Sequence, residues 1–342
     1  MPKVTIYDIA RQAGVSASTV SRVLNGKPGV SEAKREEIKK LLKVYDYKPE
    51  DAIREPVAQA YRTIGILLSD IRNSRYTEGV YEAVEHLARH DYANYVLHAG
   101  GETIAQVERI RLLAQRRIDG AILIGSSFQS DQVGKSIQRY LPVKPVIMVN
   151  GILHLPNVYG ILADETSGVC ELTRLLISKG RRHLAYVNSK NTPSNTLKLN
   201  GYLQGLREEG IEGEPTVCHM EGHVRDADRL FAEFMKQHPD LDGIVFSDDF
   251  LAVIGGKVLH ALNYKVPEDI MYAGINNSQQ TVVSTPSITS LDSQLTQLCV
   301  TAADLMMEAL DGKRLYRKTI IGTEIIERES TGVTRDRIET VF

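Results

Sequence analysis

The 342-residue chain has no apolar run of 18 residues, so nothing in it reads as a membrane-spanning helix. Its opening, MPKVTIYDIARQAG, enters a polar, amphipathic pattern at once and lacks the apolar core of a secretory signal. Cysteine is scarce. Cys170, Cys218 and Cys299 are odd in number and far apart, which argues against a disulfide framework and a zinc knuckle and fits thiols buried in a reducing cytoplasm. Enzyme signatures are missing too: there is no GxGxxG after the first strand-like segment, no P-loop, no GxSxG elbow and no HExxH. His219, Glu221 and His223 form the one local group that could touch a metal, and such a trio in a loop is commonly incidental. No catalytic residue, cofactor or metal is therefore expected.

What is present is ordinary for a globular protein: 42% apolar and 25% charged residues. The length calls for two or three domains. The net charge of -2 hides an asymmetry, because residues 1–49 carry a net +5 and the rest -7. A small basic front on an acidic body suits approach to a polyanion.

That front reads as three short helices. Thr5, with Asp8 three positions on, forms a capping box before Ile6, Ile9, Ala10 and Ala13 at helical spacing. Gly14 stops this helix and Val15 turns inward. Ser16 caps a second helix whose Val20, Val23 and Leu24 face a core, leaving Ser18, Ser21 and Arg22 outside until Asn25-Gly26 ends the run. A third helix follows Ser31, with Ile38, Leu41, Leu42 and Tyr45 on one stripe. Periodicity alone allows a purely structural bundle or a helix-turn-helix whose second helix enters the major groove.

The stretch VTIYDIARQAGVSASTVSRVLNGKPGVSEAKREEI resembles, without a gap, the headpiece signature of the LacI/GalR family of bacterial regulators. The resemblance implies an all-α helix-turn-helix headpiece on an α/β two-lobed, periplasmic-binding-protein-like domain. It places base-reading residues at Ala17, Ser18 and Arg22. Contacts that position the DNA backbone fall on Thr5, Ser16, Thr19, Ser21 and Asn25, with Arg54 added from the linker. Capping and phosphate contact can coexist at Ser16 and Thr19. The implied partner is double-stranded, palindromic operator DNA bound by a homodimer. A tetramer is not expected, since TRDRIETVF has no leucine heptad.

Residues 50–61 read as a hinge that departs from the family. Pro56 stands where the family carries a minor-groove leucine, Ile53 and Glu50 replace a small residue and an asparagine, and Glu50, Asp51 and Glu55 oppose Arg54. Proline removes a backbone donor and disturbs a helical turn. An alternative reading follows, in which the protein binds a ligand but its specific operator binding is altered or lost.

From Thr63 short apolar strands alternate with amphipathic helices, as in parallel sheets covered on both faces. TIGILLSD, YVLHA, GAILIGS and PVIMVN supply one lobe, with helices through Tyr81, Val84 and Leu87, through Ile110 and Leu113, and near Ser136. HLAYVNS, GIVFSDD and IMYAGIN supply a second, after a helix over Leu172, Leu175 and Leu176. ITSLD, a helix from Gln294 to Leu310 and the strand TIIGTEIIE return to the first. The expected limits are about 62–161 plus 291–330 for lobe one and about 162–290 for lobe two, with 331–342 a tail. VPEDIMYAGIN matches a family landmark, which extends the resemblance to about residue 330.

A cleft between two such lobes is the natural ligand site, lined by polar residues at the carboxyl ends of strands. Ser69, Asp70, Ser126, Ser127, Asn150, Asp248, Asp249, Asn276 and Asn277 meet that description, although each could equally cap the next helix. The resemblance narrows the effector set to Ser69, Tyr76, Ser126, Asn150, Lys198, Asp248 and Asn276. Lys198 stands for the family's arginine in the helix that opens the second lobe, and Asn150 and Asn276 stand for aspartates. Lysine gives up a planar fork for a point charge, so the ligand is either neutral with shifted donors or anionic, such as a phosphorylated sugar. The expectation is a cytoplasmic transcriptional repressor controlled by a sugar or sugar derivative. The sequence leaves activation, and inducer against corepressor, open.

Overall fold

The computed structural model describes residues 6–15, 17–24, 28, 30–45, 62–188, 191–220 and 226–333. Thr5, Ser16, Asn25, Arg54, Pro56, Glu221, His223 and the last nine residues therefore lie outside the described residues. The chain divides into two compact units, 1–60 and 61–342.

In the first unit, helices α1 (Ile6–Ala13), α2 (Ala17–Leu24) and α3 (Glu32–Val44) enclose a core of Ile9, Ala10, Ala13, Val20, Val23, Ile38 and Leu42. Helix α1 stops because Gly14 takes φ +62°, where a side chain would be strained. The chain then folds back so that the Val15 amide donates to the Ala10 carbonyl at 3.0 Å, the bond that closes a Schellman turn. The Tyr45 hydroxyl donates to Gln12 Oε1 at 2.9 Å and ties the end of α3 to α1.

The second unit contains two six-stranded sheets. The first runs β11-β5-β4-β3-β1-β2 and is wholly parallel. In chain order its strands are β1 (Thr63–Leu68), β2 (Ala93–His98), β3 (Gly120–Ile124), β4 (Val146–Val149), β5 (Val158–Ala163) and β11 (Lys318–Ile321). Helices α4 (Ser74–Arg89) and α12 (Leu295–Leu310) cover one face through Val80, Ala83, Leu87, Leu295 and Leu298. Helices α5 (Thr103–Ala114) and α6 (Asp131–Tyr140) cover the other through Ile110, Leu113, Val133 and Ile137. Coverage from both sides is why β3 and β4 are apolar at every position.

The second sheet runs β12-β10-β9-β8-β6-β7. Its strands are β6 (Leu184–Asn188), β7 (Thr216–His219), β8 (Gly243–Phe246), β9 (Met271–Ile275), β10 (Thr289–Asp292) and β12 (Glu324–Ile326), the last antiparallel to β10. Helices α7 (Glu165–Ser178) and α8 (Pro193–Glu208) lie on one face, α9 (Ala227–Gln237) and α10 (Asp249–Ala261) on the other, and short α11 (Gln279–Val283) follows β9.

Three crossovers join the sheets: β5 to α7, β10 to α12, and β11 to β12. The sheets set the lobe limits about two residues beyond those expected. Strand β5, not anticipated, carries the first sheet to Ala163, and Thr289–Asp292 belongs to the second sheet. TIIGTEIIE is not one strand: it breaks at Gly322–Thr323 and gives one strand to each sheet. Ser330 and Thr331, read as the border of a tail, are buried against β10, with the Ser330 hydroxyl accepting from the Thr289 amide at 2.9 Å. Tyr81 does not face the core but is exposed, and the buried stripe of α4 runs through Val80, Ala83 and Leu87 instead. His219 ends strand β7 rather than lying in a loop.

Candidate functional site: helix α2 and the cleft between the lobes

On α2, Val20 and Val23 point into the headpiece core and Arg22 is exposed on the other side, with Thr19 half-buried. Ala17, Ser18 and Ser21 lie on the same helix. Arg22 thus takes no part in the headpiece core.

In the body, the polar residues singled out from the sequence gather at the carboxyl ends of strands, as open α/β sheets require of a ligand site. Ser69 follows β1, and Tyr76 lies in the first turn of α4. Both reach Gly125, where φ is +121°: a Cβ built there would stand 3.3 Å from Ser69 Oγ and 3.4 Å from the Tyr76 hydroxyl. Ser126, next in the chain, opens a short 3-10 turn (Ser126–Phe128) and is buried. Helix α8 of the second lobe packs against this turn, so the lobes touch here.

Lys198 is not on the helix that opens the second lobe but on the next one, α8. Its position depends on close helix packing. A Cβ on Gly201 would collide with the Thr166 carbonyl, and one on Gly205 would lie 2.9 Å from the Cys170 carbonyl, so only glycine lets α8 come this near α7. The approach brings Lys198 Nζ to 3.7 Å from Glu165 Oε1, with the two side chains 4% and 2% exposed. The ammonium donates to the Ser247 carbonyl at 3.0 Å, and Glu165 accepts from the Ser194 hydroxyl at 2.7 Å. Burial pushes the Lys198 pKa down, Glu165 works against that, and the guanidinium of Arg75 lowers it further.

Three candidates have side chains already engaged. Asp248 caps α10, accepting from the Leu251 amide at 2.9 Å. Asn150, at φ +55°, accepts from the Ala163 amide at 3.0 Å and so fastens the end of β4 to the first crossover. Asn276 accepts from the Ser293 hydroxyl at 3.5 Å beside the second crossover. In these residues the side chain serves as a helix cap or fastens a crossover. Asp70 is taken up by Arg72 at 2.8 Å, which holds its carboxyl down to about 2. Asp249 is buried and accepts from the Ser278 amide and the Ser290 hydroxyl at 2.7 and 2.6 Å, yet burial still raises its pKa.

Sequence reasoning missed Arg75, Glu165, Ser293 and Arg328. Arg75 Nη2 donates to Ser293 Oγ and thereby links α4 to the second crossover. Arg328, following β12, donates to Asn277 Oδ1 at 2.6 Å and to the Ile288 carbonyl at 2.8 Å. The residue just before Tyr76 was a readable signal. Glu165 was not readable while β5 went unrecognised. A cavity of about 550 Å³ lined by Arg182, Arg207, His238 and Leu241 lies at the other end of the second sheet, away from this cluster. The three cysteines are free, and burial pushes the Cys299 thiol up to about 12. No group of metal-ligating side chains occurs among the described residues. No helix among them is long and apolar enough to cross a membrane.

Two family profiles match the chain. "Bacterial regulatory proteins, lacI family" covers residues 5–50, and "Periplasmic binding proteins and sugar binding domain of LacI family" covers 61–329. An HTH-type transcriptional regulator of Lachnoclostridium phytofermentans is 29% identical, covering 95% of this chain and 99% of the relative. The ribose operon repressor of Halalkalibacterium halodurans is 25% identical, with 96% and 97% covered. Among solved structures, a CelR–cellobiose complex aligns with a TM-score of 0.71 at 23% identity over 96% of this chain and 99% of the other. A lac repressor dimer bound to operator and the anti-inducer ONPF aligns with 0.73 at 19% over the same shares. At those identities the structures speak for the fold. With both units matched by its profiles, the chain belongs to the LacI family of bacterial regulatory proteins.

Proposed function

We propose that the protein is a sequence-specific transcriptional regulator, a repressor in the default mode of its family, controlled by a small molecule bound between its lobes. The observation that carries this is the placement of polar groups from both lobes beside the crossovers: Ser69, Tyr76 and Ser126 from the first, Lys198 and Asn276 from the second. A ligand held there touches both lobes at once, so its affinity depends on their relative orientation, which is the requirement for allosteric control. Asn150 and Asp248 complete the effector set from the cleft rim. A sugar or sugar derivative is the class that hydroxyl, amide and ammonium groups recognise, and the similarity to a cellobiose complex and a ribose operon repressor supports it.

On the DNA side, Arg22 reads bases together with Ala17 and Ser18, while Thr5, Ser16, Thr19, Ser21, Asn25 and Arg54 hold the phosphate backbone. The active species is a cytoplasmic homodimer on a palindromic operator, a reading supported by similarity to the operator-bound lac repressor dimer. No enzymatic step is assigned, and its homologues are regulators. Footprinting on DNA upstream of the gene tests the reading. Protection of two symmetric half-sites that changes on adding a sugar supports it. Affinity for that DNA no greater than for random sequence overturns it, and leaves a ligand-binding protein without operator specificity.

A further inference from the structure

Taking the cleft as the effector site, as proposed above, we infer that the ligand carries an anionic oxygen group, a carboxylate or a phosphate, seated between Arg75 of the first lobe and Lys198 of the second. The two cations come from opposite lobes and meet at the carboxyl ends of the paired strands β8 and β9: Lys198 donates to the Ser247 carbonyl at 3.0 Å, and Arg75 donates to the Ser293 hydroxyl, which reaches Asn276 Oδ1 at 3.5 Å. Arg75 accordingly depresses the basicity of Lys198. Only one is neutralised locally, because Glu165 is buried against Lys198 at 3.7 Å. Among the described residues no carboxylate comes within ion-pair distance of Arg75.

What Arg75 has instead is neutral. One terminal nitrogen donates to the Ser293 hydroxyl, the Tyr76 ring centroid lies 6.0 Å from the guanidinium carbon, and Nε is buried without a hydrogen-bond partner. A guanidinium fork matches the geometry of carboxylates and phosphates, and a buried N–H left without an acceptor is costly. Of the neighbouring carboxylates, Glu78, one turn along α4, lies outside ion-pair distance of Arg75, Asp292 accepts from Asn277 Nδ2 at 3.1 Å and from the Gln294 amide at 2.7 Å, and the others are engaged within their own lobes. Asp70 pairs with Arg72, Asp248 caps α10, and Asp249 accepts from Ser278 and Ser290 and attracts Arg328. On the other side, Ser247 gives its carbonyl to Lys198 and keeps a buried hydroxyl with no partner. The excess charge at the seam is thus positive on the Arg75 side.

This gives the charge a regulatory sense. With the cleft empty, Arg75 and Lys198 repel each other across the lobes. An anion between them replaces that repulsion with two attractions and favours the closed arrangement. The hydroxyls of Ser69, Tyr76 and Ser126 and the amide of Asn276 are left for a sugar-like body.

The test is calorimetric titration of the full-length protein with matched neutral and anionic probes: glucose, glucuronate and glucose 6-phosphate, then ribose and ribose 5-phosphate, with inorganic phosphate alone. At least one anionic probe should bind about tenfold or more tightly than its neutral partner, in line with a charged hydrogen bond. The carboxylate and phosphate arms show which anion the site takes. Arg75→Gln should erase that preference, Arg75→Lys should keep most of it, and Arg89→Gln, exposed at the far end of α4, should leave it intact. Equal or tighter binding of the neutral partners, a preference that survives Arg75→Gln, or no binding by any anionic probe overturns the inference. A neutral sugar that binds and alters operator affinity would sink it while leaving the proposed function standing.

Discussion

Glu165 and Lys198 form the most buried ion pair among the described residues, and removing the carboxylate exposes how much the fold depends on it. Glu165→Gln preserves shape and an acceptor for the Ser194 hydroxyl but leaves the ammonium in a site where its side chain is 4% exposed. Losing one partner of a buried pair costs about 3–5 kcal/mol. Proton loss from Lys198 limits that cost, and this sets the pH dependence. Burial already lowers the folded pKa of Lys198 below its ordinary value, and Glu165 raises it back in part. Without Glu165 the folded pKa falls further. In the variant, stability therefore rises with pH from the new folded pKa up to the unfolded lysine value near about 10.4, above which neither state holds the proton.

The assay is urea unfolding of the full-length protein followed by circular dichroism at about pH 7 and about pH 10. The expected result is a deficit of about 3 kcal/mol or more near neutrality that shrinks at the higher pH. The double variant Glu165→Leu with Lys198→Met should recover most of it, because an apolar pair of similar volume has no charge to desolvate. A deficit below about 0.5 kcal/mol, the size of an ordinary surface substitution, would refute the reasoning. So would a deficit that does not change with pH.

Further outcomes follow from other parts of the molecule. Arg22→Ala should reduce operator affinity by about 1–3 kcal/mol while binding to random DNA falls much less, read by titration on both; equal losses would leave Arg22 a phosphate contact only. Gly201→Ala should destabilise by about 1–3 kcal/mol, because its methyl meets the Thr166 carbonyl on α7; an unchanged unfolding midpoint would show that α8 can retreat freely. Sedimentation at micromolar concentration should show a dimer, and Val283→Asp, at an 80% exposed apolar position, should shift it towards the 38.0 kDa monomer. A monomer in the wild type would count against a palindromic site.

The parts that were legible in the sequence are those where local pattern and burial coincide. GAILI, VIMV and GIVF are apolar throughout because helices cover both faces of their sheets. The headpiece stripe of Ile9, Ala13, Val20, Val23 and Ile38 is dense enough to fix three helices. Strand β7 escaped because it is a four-residue edge strand that is only half-covered. Strand β5 escaped because Tyr159 and Gly160 interrupt its apolar run, although Gly160 is required there by the close approach of Ile152. That omission displaced the lobe limits and hid Glu165, which begins the next helix. Tyr81 was assigned to the core because its spacing to Val84 fits a helix, but the buried face of α4 is turned by one residue. Arg75 was passed over because short polar groups at strand ends are the usual signal, and a long side chain from a following helix reaches the same cleft.

Allosteric coupling between cleft and headpiece is the central claim, and a closed thermodynamic cycle tests it most directly. Operator affinity is measured with and without saturating ligand, and ligand affinity with and without saturating operator, on the same full-length protein. Linkage requires the two ratios to be equal, and a regulator of this kind should give a factor of about 5–150 in either direction. A factor of one in both arms, with ligand and operator each bound tightly, would contradict the account and make the two units independent binders on one chain.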